Sequence, residues 1–174
     1  MVKKSKRPTL ILEGVDCSGK TVLARDIQKR WSCKYIHVKQ APEGTDTLVH
    51  FIKALRGIRQ PTIIDRLHWS EQVYAEVLRK NSLLSDRDFG VIDGYLLANR
   101  GIFVLCKPSW YAVSHKIMED KDGENHNLDT AGMIYQKYIK PPRTVLPVIR
   151  YDYEYDTVDE LVKRAQACME AFYG

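Results

Sequence analysis

The sequence is poor in cysteine: four residues, at 17, 33, 106 and 168, are spread over 174 positions. No Cys-x-x-Cys pair occurs, so neither a zinc knuckle nor a redox dithiol is expected. Cys33, Cys106 and Cys168 lie in or beside apolar segments and read as small core or near-core residues, in keeping with a reducing compartment. No apolar run approaches the roughly 18 residues of a membrane span. The charged first residues are followed by no apolar stretch of signal-peptide length. The expectation is therefore a cytoplasmic protein (host cytoplasm if viral) with no membrane partner. The five histidines show no ligand spacing, so no protein-held transition metal is expected. No Asn-Lys-x-Asp segment is present, which argues against a GTPase. Internal repeats and low-complexity segments are lacking too.

What is there has an ordinary globular balance, 44% apolar and 28% charged, with a net charge of +5. Part of the excess is the basic run Lys3, Lys4, Lys6, Arg7, which reads as a solvated tail; a nucleic-acid partner is not expected. The remainder suits an anionic small molecule. A chain of 174 residues predicts one domain, residues 1–174, able to bury roughly two thirds of its unfolded surface.

Short apolar runs alternate with helical periods. Strands are predicted at 9–12, 35–39, 62–65, 101–106 and 145–151, and helices at 20–31, 46–56, 70–80, 86–99, 110–119 and 128–138. Ser85 or Asp86 caps the fourth helix. A last helix opens on the capping box Thr157-x-x-Glu160. The stretch 120–127, with Gly123, is the most loop-like. Five strands separated by helices predict an α/β three-layer sandwich: a five-stranded parallel sheet with helices on both faces. Ligands of such sheets bind beyond the carboxyl ends of the strands, so functional residues should follow strands.

They do. Gly14-Val15-Asp16-Cys17-Ser18-Gly19-Lys20-Thr21 fits the phosphate-binding loop Gly-x4-Gly-Lys-Ser/Thr, or P-loop. Its glycines let successive amides converge on phosphate, and the following helix adds its positive end. Gly14, Cys17, Ser18, Gly19, Lys20 and Thr21 are the expected ATP contacts, with Lys20 on the β- and γ-phosphates and the Thr21 hydroxyl on Mg²⁺. The four specified positions recur by chance in roughly 0.6% of chains this long, so chance is a poor account of a match set between a strand and a helix. A second acid should hold Mg²⁺. Asp65 is preferred because it ends a strand and precedes Arg66, whose guanidinium suits a phosphate. Asp93 sits better as a polar position within its helix.

With these residues in place, the chain resembles the thymidylate kinase family, including small phage-type deoxynucleotide kinases. Three patches carry the likeness: Leu12-Glu13-Gly14-Val15-Asp16-x-Ser18-Gly19-Lys20-Thr21, Pro42-x-Gly44-Thr45, and Asp65-Arg66-x-x-x-Ser70-x-x-x-Tyr74. The resemblance implies a P-loop fold of the nucleoside-monophosphate-kinase kind. It also implies ATP and Mg²⁺ as cofactors and transfer of phosphate to a nucleoside monophosphate. Asp16 would contact the acceptor sugar or organise the metal, and Arg66 would hold the acceptor phosphate. Ser70 and Tyr74 would line the base and sugar pocket, with Glu13 and Pro42 among the substrate contacts. Relatives are often dimers, so a homodimer is one expectation. The family's thymine-reading Gln is Ala75 here, and its Arg-Glu before the Pro is Gln40-Ala41. The expected lid, 109–127, holds no arginine; Lys116 is the favoured source of the missing catalytic charge, with Lys121, His115 and His126 nearby. Three rival readings stay open: a deoxynucleoside kinase acting on the sugar 5′-hydroxyl, an ATPase module acting with a partner or nucleic acid, and phosphorylation of a nucleic-acid end through the basic tail.

Overall fold

The computed structural model describes residues 7–56, 58, 61–79, 82–119, 127–140 and 142–174. Five parallel strands lie in the order β2-β3-β1-β4-β5. They are β1 (Thr9–Glu13), β2 (Lys34–His37), β3 (Thr62–Asp65), β4 (Gly101–Cys106) and β5 (Val148–Tyr151). The helices are α1 (Lys20–Arg30), α2 (Thr47–Leu55), α3 (His68–Tyr74), α4 (Asp86–Ala98), α5 (Trp110–Glu119), α6 (Leu128–Lys137) and α7 (Val158–Tyr173). A π-helical turn, Ala75–Arg79, continues α3.

The central strands β1, β3 and β4 are buried throughout because both faces are covered, and most of their residues are apolar. Alternate side chains of β1 enter different cores. Leu10 and Leu12 join Leu23 and Ile27 of α1 and Leu161 and Met169 of α7. Ile11 joins Phe51 of α2, Ile92 of α4 and Ile134 of α6 on the other face. The period of two in a strand thus divides the helices between two layers, and the expected three-layer α/β sandwich is the observed one.

Local sequence accounts for most boundaries. Thr157 and Glu160 form the capping box of α7, and Ser85 with Asp88 forms one for α4. Asn127 caps α6 by accepting from Thr130 N at 2.9 Å. The last strand is shorter than the 145–151 predicted. Asp93 draws the preceding residues away: Thr144 Oγ1 donates to its Oδ2 at 2.7 Å and Val145 N at 3.0 Å. Asp93 also meets His68 Nε2 at 3.0 Å, so this buried acid ties α4 to the chain before β5 and to α3. Burial opposes its charge, but the bonds from His68 and Thr144 hold its carboxyl below the usual range. Lys3, Lys4, Lys6 and residues 120–126, with Gly123, Lys121 and His126, lie outside the described residues.

Register brings the functional edge together. Leu12 pairs with Asp65, Glu13 with Leu105, and Cys106 with Tyr151. Arg66 N donates to Leu12 O at 3.0 Å, and Val38 N to Asp65 O at 3.1 Å. The P-loop, the Asp65–Arg66 pair and the start of the 152–156 turn therefore meet beyond the carboxyl ends of the strands.

Candidate functional site

The P-loop leaves β1 through Gly14, which packs on the end of β4. A Cβ at Gly14 would stand 2.4 Å from Cys106 O, which excludes any side chain there. Two further residues have left-handed backbones, Cys17 (φ 62°) and Gly19 (φ 84°). Cys17 has no glycine's freedom, and such a non-glycine conformation persists only where the surroundings enforce it. The loop ends at α1, whose N-cap is Gly19 and whose first turn carries no acid. Its positive end is left for an external anion.

Lys20 is 6% exposed. Its Nζ donates to Gly14 O at 2.8 Å, Val15 O at 2.7 Å and Ser18 Oγ at 3.3 Å, so the loop itself aims the ammonium. Burial, and then the positive charge of Arg66, pull its pKa down, while Asp16 and Asp65 oppose them. An anion in the loop would relieve that strain on the charge.

Asp65 lies beneath Thr21. Thr21 Oγ1 donates to Asp65 Oδ2 at 3.4 Å and Tyr35 Oη to the same oxygen at 2.7 Å, with His37 Nδ1 at 3.6 Å. Burial and the Asp65 bond push Tyr35 up to about 12, so it remains a donor. The other oxygen, Oδ1, is buried and has no partner among the described residues. A buried carboxylate oxygen left over beside a hydroxyl suits a hard divalent cation or its water, and Thr21 and Asp65 fit Mg²⁺. No group of three or more His, Cys, Asp or Glu side chains among the described residues could cage a metal, so phosphate and water would complete such a shell.

Arg66 follows with φ 65°, a left-handed backbone that turns its side chain toward the P-loop. Its Nη2 donates to Asp16 Oδ1, and its guanidinium lies 4.9 Å from the centre of the Tyr74 ring. Tyr74 Oη donates to Asp16 Oδ2 at 2.8 Å. Burial works against the charge on Arg66, but Tyr74, Asp16 and Tyr138 raise its pKa overall. Beside this trio lies a cavity of about 310 Å³ lined by Arg66, Ser70, Glu71, Tyr74 and Arg79, with Val38 to Gln40 from the end of β2. It contains the second cation of the site one strand away from the phosphate cradle.

The remaining expected residues sort differently. Glu13, expected among the substrate contacts, lies beneath the start of α3. It is 1% exposed, accepts from Leu67 N at 2.9 Å and from Ser70 Oγ, and lies 3.4 Å from Tyr138 Oη. Burial raises its pKa, although the Ser70 bond opposes the rise. Glu13 clasps the start of α3 and so positions Arg66. Ser70 borders the cavity, but its hydroxyl is taken by Glu13 and by Tyr138 Oη at 2.9 Å. Pro42 lines a neighbouring cavity of about 640 Å³ formed by residues 40–48 with Arg79, Leu83 and Asp88. Trp69 packs near Tyr138 in the core, and Trp110 against Tyr135.

Lys116, on α5, places its Nζ 3.8 Å from the centre of the Tyr153 ring. That ring rests on the P-loop: a Cβ at Gly19 would meet it at 2.9 Å. One aromatic ring therefore separates Lys116 from the phosphate cradle. Sequence reasoning missed this arrangement, as it missed Tyr35, Glu71 and Arg79. Only the position of Tyr153 after a predicted strand hinted at it.

No protein-family model and no curated protein matches the sequence. Solved structures do match. The YorR protein from Bacillus subtilis, in complex with phosphorylated GDP, has a TM-score of 0.74 at 22% identity, over 95% of this chain and 97% of that one. Deoxyadenosine kinase from M. mycoides with bound dCTP has a TM-score of 0.61 at 15% identity, over 91% and 99%. A gluconokinase from Sinorhizobium meliloti 1021 has a TM-score of 0.57 at 14% identity, over 94% and 92%. With the Gly14–Thr21 loop between β1 and α1, the chain has the parallel α/β fold of these three structures.

Proposed function

We propose that this protein transfers the terminal phosphoryl group of ATP to a nucleoside monophosphate, giving ADP and the diphosphate. The observation that carries the reading is the nearness of two cations at the carboxyl edge of the sheet. Lys20 lies inside the P-loop and would serve one anion, and Arg66, bonded to Asp16 of the same loop and lining the 310 Å³ cavity, would serve the other. Phosphoryl transfer leaves the protein little covalent work; alignment and neutralisation of charge supply most of the catalysis. Lys20 would stabilise charge on the β- and γ-oxygens, and Arg66 would hold the acceptor phosphate in line. Mg²⁺ held by Thr21 and Asp65 would neutralise charge on the phosphates when bound. The bond from the γ-phosphorus to the β–γ bridging oxygen breaks as a bond to an acceptor phosphate oxygen forms.

A phosphate acceptor is already ionised and needs no base. That favours a monophosphate here, because Glu13 is buried beneath Ser70 and Tyr138 and Asp16 is bonded to Arg66 and Tyr74. The nucleoside-kinase reading draws on the deoxyadenosine kinase likeness and on Asp16, whose side chain is 25% exposed and could take a proton from a sugar hydroxyl. Residues 109–127 would act as a lid that limits ATP hydrolysis. A homodimer, a cytoplasmic location and a small-molecule nucleotide as substrate belong to the same proposal. Among the described residues no helix is long and apolar enough to cross a membrane.

The test is ADP release with ATP and Mg²⁺ over a panel of nucleoside monophosphates, nucleosides and gluconate. Transfer to monophosphates alone is the expected result. Phosphorylation of nucleosides or gluconate alone would refute the acceptor. Stimulation by DNA alone would point to an ATPase module.

Lys116 gives a separate prediction. Its contact with Tyr153 is worth about 0.5–1 kcal/mol, a weak hold that the negative charge of a transferring phosphoryl group would outbid. Lys116→Ala is expected to lower kcat on the order of a hundredfold while the Kd for ATP changes far less. Unchanged turnover would remove Lys116 from the mechanism.

A further inference from the structure

The acceptor cavity contains a second guanidinium, Arg79, which the mechanism above does not use. It reaches the cavity through an irregularity of the helix. In an unbroken α-helix, the residue eight positions after Glu71 would stand about 80° further round the axis. The π-helical turn Ala75–Arg79 is wider and takes up that rotation. As a result Arg79 Nη2 donates to Glu71 Oε1, eight residues back. Glu71 is itself 6% exposed and also accepts from the backbone of Leu83, so it serves as a fixed anchor. Arg79 Nε is buried and has no partner among the described residues. Arg79 and Gln40 border both the 310 Å³ cavity and its 640 Å³ neighbour, which puts the guanidinium at their junction.

Direction along α3 separates the two arginines. Arg66 is tied to the P-loop through Asp16, where the reacting phosphate must lie. Glu71 stands one helical turn past Leu67, about 5.4 Å further along the axis, and holds Arg79 there. An acceptor with its phosphate on Arg66 would extend its other end toward Arg79. A guanidinium offers donors only. It pairs with a ring-edge carbonyl, such as O6 of guanine together with N7, or O4 of thymine or uracil. It sets donor against donor at the exocyclic amine of adenine or cytosine.

Resting on the reading of this cavity as the acceptor site, we propose that Arg79, placed by the π-turn and anchored by Glu71, is the residue that reads the acceptor base and selects a keto edge. The substrate class is then a guanine, thymine or uracil nucleoside monophosphate.

Equilibrium binding and transfer rates for dGMP, dTMP, dAMP and dCMP test this, with the wild-type protein and Arg79→Met. The wild type is expected to favour dGMP or dTMP at least tenfold. Arg79→Met should lose about ten- to a hundredfold for the keto bases and change dAMP and dCMP less than threefold, so that selectivity collapses. Glu71→Gln, which loosens the anchor, should lose part of the same selectivity. If Arg79→Met does not fold, Arg79→Lys carries the measurement, because it keeps the charge without the planar fork. Equal weakening of all four nucleotides, or a wild-type preference for dAMP or dCMP, would overturn the assignment. Failure of the proposed function looks different: no transfer to any monophosphate, with base-selective binding still reporting on Arg79. Absence of binding by all four would overturn both.

Discussion

Replacing Lys20 by methionine is expected to lower phosphoryl transfer about a thousandfold, the upper range for removing one preorganised charge from a reacting oxyanion. Methionine keeps the length and apolar stem, so the fold should survive. The ammonium has three donors, and the P-loop uses them on Gly14 O, Val15 O and Ser18 Oγ. Those bonds fix its direction without neutralising it. Loss of the charge therefore removes the largest positive contribution at the cradle, while the carbonyls it held lose a donor. Stopped-time ADP release and thermal melting, measured together, separate the two effects. The expected pattern is a collapse of kcat with a shift in Tm of only a few degrees. Near-wild-type turnover in a folded Lys20→Met protein would remove the P-loop from the chemistry.

Arg66 carries the second large effect, and its backbone allows a clean dissection. At φ 65° a side chain is strained, whereas glycine is at ease. Arg66→Gly and Arg66→Ala both delete the guanidinium, but only alanine keeps the strain. Both are expected to lose kcat/KM for the acceptor on the order of a hundredfold to a thousandfold. The glycine variant should be the more stable of the two by about 1 kcal/mol. Arg66→Lys should recover little, because the Asp16 contact and the stacking over Tyr74 use a planar guanidinium. Acceptor-dependent ADP release, with urea melts of all three variants, checks both halves. If glycine restored activity while alanine abolished it, the backbone and not the charge of Arg66 would be what matters.

Much of the fold was legible because its signals are local. Thr9 to Leu12 is apolar on both faces and runs into Gly14, as a central strand entering a P-loop must. Thr157 and Glu160 cap α7 within one turn of chain. The Asp65–Arg66 pair was readable as a strand end followed by a cation. Its meaning was less so, since Asp16 lies 50 positions earlier. The setting of Glu13 was illegible for a related reason. Its partners Ser70 and Tyr138 stand 57 and 125 positions away, and no local pattern distinguishes a buried clasp from a substrate contact. The π-turn left no trace either: Ala75-Glu76-Val77-Leu78-Arg79 reads as ordinary helix.

By itself the chain of residues determined the layer architecture and set the Gly-x4-Gly-Lys-Thr loop and Asp65 at strand ends. These depend on hydrophobic period, on glycine's access to unusual backbone angles, and on caps, all of which act over a few residues. Tertiary structure alone decided which charges face one another: Asp16 with Arg66, Glu71 with Arg79, and Lys116 over Tyr153 on Gly19. Those pairings depend on parallel strand register and on one widened helical turn. The first and third join distant segments packed together, and the second rests on a widened turn that a reading along the chain does not reach.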